Sequence, residues 1–157
     1  MESDTEEYLK KTDLIIQKDT SVIDPTIIDH FYNKAKEHLT NKEVFKNWFI
    51  SFLSAPKEDI EPGVVYTQED IIGLAQGNLI MKDVYSRFNS FIEDDEYILS
   101  INKNLYRITN DNYSIVKPWF SHSSTESIQI NFEVLDNQTW PLLIDQFKNG
   151  TFFFEEA

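Results

Sequence analysis

The stretch TQEDIIGLAQGNLIMKDVYSRFNSFIEDDEYILSINKNLYRITN, residues Thr67 to Asn110, decides how this chain reads. Thr67 precedes an apolar run and is followed three positions on by Asp70, the pattern of an N-cap hydroxyl answered by a reciprocal side chain. A short helix is predicted from there, with Ile71, Ile72, Leu74 and Ala75 on its buried side and Gly77-Asn78 at its end. Ile80, Val84, Phe88, Phe91 and Ile92 then recur at spacings of three and four. This predicts a second helix over 79–92, with Lys82, Asp83, Ser86, Arg87, Asn89 and Ser90 on its outer face. The run Glu93-Asp94-Asp95-Glu96 opposes the negative C-terminal end of a helix and reads as a solvated link. Tyr97 to Ile101 and Leu105 to Thr109 are β-rich runs around Asn102-Lys103-Asn104, which predicts a hairpin with a three-residue loop.

Upstream, residues 1–21 form an acidic arm with one apolar patch at Leu14-Ile15-Ile16. Asp24-Pro25 opens a helix whose buried stripe is Ile28, Phe31 or Tyr32, Ala35 and Leu39. Thr40 and Glu43 repeat the capping-box spacing before a helix over 41–54 that carries Val44, Phe45, Trp48, Phe49, Phe52 and Leu53 into the core. Lys57 to Gly63 reads as an exposed loop. In the order of its elements the middle of the chain resembles a winged helix, with 41–54 as the first helix and Val64-Val65-Tyr66 as the short strand. That resemblance implies either DNA binding or protein contacts, since the arrangement serves both.

Downstream, Tyr113 to Val116 is expected as a strand broken by Lys117-Pro118, and Trp119-Phe120 as a core plug. Ile128, Ile130, Phe132 and Val134 alternate with Gln129, Asn131, Glu133 and Leu135, a period-two signal for a half-buried strand. Thr139-Trp140-Pro141 opens a helix through Lys148, Asn149-Gly150 closes it, and Thr151 to Phe154 is a last strand. The fold class is therefore α+β: N-terminal helices, the winged-helix-like middle, and a small antiparallel sheet with one helix at the C-terminus. The expected domains are the arm over 1–21 and one α+β domain over 22–157, divided into the winged-helix-like part 40–110 and a β-α-β part 111–157.

The chain has 157 residues, a formal net charge of −13 and no Cys. Thiolate metal sites and disulfides are excluded, and a reducing cytoplasm is the expected home. No apolar run approaches the roughly 20 residues of a membrane span, and the acidic start lacks a leader's basic and apolar segments. His30, His38 and His122 are the histidines, and none has the neighbours of a nucleophilic triad or a metal site. The four glycines make no phosphate cradle, so no enzyme activity, cofactor or metal is expected. The distributed acidity opposes general nucleic-acid binding and favours steering toward a basic protein partner such as a toxin or nuclease. The expected function is an acidic inhibitor of the immunity or antitoxin type, binding through Glu58, Asp59, Glu61, Glu93, Asp94, Asp95 and Glu96. The alternative is a winged-helix regulator reading DNA with Lys82, Ser86, Arg87 and Asn89, and with Lys103 at the wing tip. Self-association through Phe152-Phe153-Phe154 would make the chain a homodimer instead of a monomer.

Overall fold

The computed structural model describes residues 29–30, 33–37 and 41–157. The expected arm, the Asp24-Pro25 helix start, and Ile28, Phe31, Tyr32, His38, Leu39 and Thr40 lie outside the described residues. The chain forms two compact units, Met1–Asn47 and Trp48–Ala157. Residues 33–37 of the first are helical, with Ala35 half-buried.

Helix α1 (Lys42–Leu53) lies within the expected span 41–54, and it is the Asn41 side chain that accepts hydrogen bonds from the amides of Glu43 and Val44 at 3.1 and 3.3 Å. Its apolar face is less covered than expected. Ile50 is its buried residue, while Phe49, Phe52 and Leu53 each keep over two-fifths of their surface exposed, at 43, 48 and 47%.

Helix α2 (Gln68–Ala75) confirms the capping box. Thr67 Oγ1 accepts from the Asp70 amide at 3.1 Å, and the Asp70 carboxylate accepts from the Thr67 amide at 2.9 Å. The bonds to the charged carboxylate hold the Asp70 pKa below the ordinary value. Eight residues give the helix room to bury Ile71 fully, and they leave Ile72 and Leu74 partly in solvent. Val64-Val65-Tyr66 is not a strand: both valines are exposed, and Tyr66 sets its ring edge-on against Phe147 and Phe154.

The predicted helix over 79–92 is two strands, β1 (Asn78–Lys82) and β2 (Phe88–Glu93). Asp83 divides them. Its carboxylate accepts from the Tyr85 amide at 2.8 Å and its carbonyl from the Ser86 amide at 3.2 Å, a side-chain-closed turn that competes with helix. The flanking strands carry Ile80, Phe88, Phe91 and Ile92, β-branched or aromatic residues that favour strands. Ile80 belongs to one strand and Phe88, Phe91 and Ile92 to the other, so the spacing of three and four does not run along one helix.

Strands β3 (Glu96–Ile101) and β4 (Asn104–Ile108) follow, and the order in the sheet is β2-β3-β4, antiparallel throughout. Both connections are two-residue loops. Asp94 and Asp95 have φ of 51° and 62°, and Asn102 and Lys103 have 48° and 74°. Positive φ at both central residues is the type I′ geometry that matches the twist of the flanking strands. The acidic link is thus a hairpin tip, and the predicted three-residue loop contains two. A winged helix would need a helix over 79–92, and strands occupy that place.

The expected strand at Tyr113 to Val116 lies inside helix α3 (Asn110–Ser121). Thr109 caps it by accepting from the Asn112 amide at 3.3 Å. Pro118 removes one internal hydrogen bond, but Val116, Trp119 and Phe120 bury the inner face, so packing holds the helix where local preference does not. Tyr113 stacks on Tyr97 of β3 with ring centroids 3.6 Å apart. The alternating stretch from Ile128 also fails to pair as a strand. The Ile128 amide donates to the Ile80 carbonyl at 2.7 Å, and the chain then turns into a 3-10 segment (Phe132–Val134), with the Asn131 side chain accepting from the Glu133 amide.

Helix α4 (Thr139–Lys148) and strand β5 (Phe152–Glu156) match the sequence reading. β5 pairs antiparallel with β1 in a separate two-stranded sheet, Ile80 opposite Phe154 and Lys82 opposite Phe152. The core gathers Ile71, Leu99, Ile101, Ile108, Val116, Trp119, Leu143, Phe147 and Phe152 from both sheets and three helices. The fold class is α+β. No helix among the described residues is long and apolar enough to cross a membrane.

Candidate functional site

Gln138, Pro141, Leu142 and Asp145 stand at positions i, i+3, i+4 and i+7 of the chain entering and forming α4, so they share one face. That face and residues Leu105 to Ile108 of β4 enclose a concavity of about 320 Å³. Among the described residues β4 is a sheet edge, pairing only with β3. The two-residue turn makes Ile101 and Asn104 the closing hydrogen-bonded pair, and the alternation of an antiparallel ladder gives Leu99–Tyr106 and Tyr97–Ile108 the same role. The amides and carbonyls of Leu105 and Arg107 therefore turn outward, where no strand among the described residues pairs with them.

Within the concavity, the Tyr106 hydroxyl donates to the Asp145 carboxylate at 3.4 Å and accepts from Gln146 Nε2 at 3.4 Å. Burial, with a smaller contribution from the Asp145 charge, raises the Tyr106 pKa, so the phenol stays protonated at neutral pH. Gln146 is fully buried; its Nε2 also donates to the Leu142 carbonyl at 3.1 Å, and its Oε1 has no partner among the described residues.

Two polar clusters flank this region. Arg107 reaches Glu96 at 3.1 Å and Glu93 at 3.2 Å across the sheet. The hydrogen bond to Glu96 first, and the nearby charges after it, raise the Arg107 pKa. Asp136 accepts from Asn112 Nδ2 at 2.9 Å and from the amides of Gln138 and Thr139 at 2.9 and 3.0 Å. These bonds hold its pKa down to about 2, led by that from Asn112. Asn112 Nδ2 also donates to Gln138 Oε1 at 2.7 Å, tying the start of α3 to the start of α4.

The residues expected to form one acidic surface fall into two groups. Glu93 and Glu96 are held by Arg107, with Asp94 and Asp95 exposed at the hairpin tip between them. Glu58, Asp59 and Glu61 are exposed on a loop anchored elsewhere, where the Gly63 amide donates to the Lys148 carbonyl at 2.9 Å. The opposite end of the β3 ladder, six residues from the tip, is tied through Asn102 to Thr151.

The five residues of the DNA reading do not share a helix face. Lys82 ends β1, and its ammonium donates to the carbonyls of Phe120 and His122 at 3.0 and 2.8 Å, stopping the C-terminus of α3. Burial lowers its pKa. Ser86 and Arg87 lie in the turn before β2, where Ser86 Oγ accepts from Asn102 and the Arg87 amide donates to the Asn102 side chain at 2.8 Å. Asn89 lies in β2, and Lys103 in the β3–β4 turn with its amide on Ser54 Oγ.

Sequence reasoning missed Tyr106, Asn112, Asp136, Asp145 and Gln146. No motif marks them. The available signal was the i, i+3, i+4, i+7 stripe ending at Asp145, in a helix the sequence did reveal. Of the histidines, His30 is exposed in the first unit, and His122 follows α3 with Nδ1 3.4 Å from Glu126. Among the described residues no three of His, Cys, Asp and Glu gather as metal ligands.

No family model matches the chain, and no curated protein matches it in sequence. Its fold is similar to solved structures of YcfD, a ribosomal oxygenase from Escherichia coli. One aligns with a TM-score of 0.53 at 17% identity, covering 96% of this chain and 46% of that one. Another aligns at 0.51 and 18%, covering 96 and 45%. A third, in complex with cobalt and succinic acid, aligns at 0.52 and 19%, covering 96 and 46%. This chain thus spans less than half the length of the structures it matches. This likeness overturns the expected non-enzymatic inhibitor, immunity or antitoxin-type protein, together with its DNA-regulator alternative, because the solved structures that the fold resembles are those of a ribosomal oxygenase.

Proposed function

We propose that this chain serves as a region of a ribosomal-oxygenase-type protein, one that positions a ribosomal polypeptide while other residues hold the metal. The observation that supports this reading most is the likeness to YcfD over nearly all of this chain and less than half of that one. The division of labour follows from the donor set. Iron or cobalt of an oxygenase of the facial-triad kind needs two imidazoles and a carboxylate converging with open positions. His122 and Glu126 supply one of each, and no third donor joins them among the described residues, so the described part does not fit such a centre.

Such a region contributes by holding the substrate in place, since positioning alone accounts for a large share of many rate enhancements. A chain without Cys suits a reducing compartment, so cytoplasmic action on ribosomal material agrees with its composition. The test is co-sedimentation of the purified chain with ribosomes and with separated ribosomal proteins, paired with titration of cobalt(II) followed by visible absorption. Association with a ribosomal component and no stoichiometric cobalt complex are expected. Absence of any ribosomal association at low salt overturns the reading, and a tight one-to-one cobalt complex overturns the assignment of the metal to other residues.

A further inference from the structure

An unpaired strand edge beside a helix face is a template for a further strand. β4 offers that edge: the amides and carbonyls of Leu105 and Arg107 point away from β3, giving an incoming chain up to four backbone hydrogen bonds. The helix face runs alongside for the same length. From Gln138 to Asp145 it spans roughly 10 Å of helix axis, and Leu105 to Ile108 spans roughly 10 Å of strand. Leu142 and Ile108 are buried at its floor, while Leu105, Pro141 and Arg107 stay exposed at its walls. At about 320 Å³ the space is at the low end of ligand sites in proteins.

Charge selects the occupant. Asp145 stands in the wall. The Thr109 amide lies 3.5 Å from the Gln138 side chain, which places the start of α4 and its Asp136 carboxylate at the Ile108 end of β4. The exposed Asp94 and Asp95 lie at that same end, beyond Arg107, whose own charge already faces Glu93 and Glu96. The chain as a whole carries −13.

We propose that the groove between the β4 edge and α4 binds an extended peptide bearing lysine or arginine, as an added strand paired with Leu105 and Arg107. Alternate side chains of that peptide would point to opposite faces of the sheet, and a basic one would meet Asp145 or the acids at the Ile108 end. This site goes beyond the oxygenase reading and stands or falls separately, because its test requires neither metal nor ribosome.

The probe is a fluorescein-labelled octapeptide of alternating valine and lysine, titrated into the full chain and followed by anisotropy, with amide hydrogen exchange read by NMR. Binding is expected, with exchange at Leu105 and Arg107 slowed by about tenfold or more. The same peptide with glutamate for lysine should bind at least about tenfold more weakly, and Asp145→Asn should weaken the lysine peptide by about threefold to tenfold. No binding of the lysine peptide overturns the site. Binding without slowed exchange at those two amides overturns strand addition, and equal binding of the glutamate peptide overturns the charge preference.

Discussion

The two sheets of this fold are built over very different chain distances. β2, β3 and β4 are neighbours in sequence, joined by two-residue turns, whereas β1 and β5 are the first and last strands of the described chain. In the first sheet each turn sets the register before any long-range contact forms. In the second, register depends on which faces are buried. Local turn chemistry therefore sets one ladder, and core packing sets the other.

The largest expected effect breaks the long-range ladder through its core contact. Phe152 is 1% exposed and packs against Phe120 and Phe147 with centroids 5.3 and 6.1 Å away. Phe152→Ala should lower stability by about 3–5 kcal/mol, as is usual for removing a buried aromatic ring. Urea denaturation followed by tryptophan fluorescence measures this. A loss below about 1 kcal/mol would mean that β5 does not depend on the core for its place.

A smaller effect is expected where the chain enters β5. Gly150 follows α4 with φ of +74°, and a Cβ there would sit 2.0 Å from the Glu61 carbonyl oxygen. Gly63 meets the same constraint from the other side, 1.8 Å from the Phe147 carbonyl oxygen. Two backbones touch without side chains between them, and this contact leads the last strand into its pairing with β1. Gly150→Ala should cost about 1–3 kcal/mol, from left-handed strain and displacement of the loop over 57–63. Thermal denaturation checks it. An unchanged midpoint would show that the loop yields easily and that β5 is positioned by its side chains alone.

The same contrast separates what the sequence disclosed from what it hid. The capping box at Thr67, the end of α4 at Asn149-Gly150 and the terminal strand were legible because each rests on a few adjacent residues. The region 79–92 was not. Its apolar spacing suits a helix, and only the Asp83 turn, closed by one carboxylate, divides it into strands. Tyr113 to Val116 and the Ile128 stretch went the opposite way, toward helix and 3-10 turn. There Trp119, Phe120 and Ile128 gain more from core burial than local propensity offers. The groove beside β4 was invisible for the same reason: Tyr106 and Asp145 meet only after α4 folds across the sheet.

The smallest expected effect sharpens the comparison from the local side. Lys103 holds φ of +74° in the β3–β4 turn, a conformation that costs a residue with a Cβ and costs glycine almost nothing. Its neighbour Asn102 is unsuitable for the same test, since its side chain accepts from the Arg87 amide and donates to Thr151 and Ser86. Lys103→Gly should raise stability by about 0.5–1 kcal/mol, an upward shift of a few degrees in Tm, with strain relief only partly offset by the lost side chain and the greater freedom of the unfolded chain. The gain should persist unchanged in the Phe152→Ala background. The β3–β4 turn and β5 belong to different sheets, so the two effects should add. Coupling above about 0.5 kcal/mol would show that the two ladders form as one cooperative unit, and that the local turn gains its geometry from the distant strand.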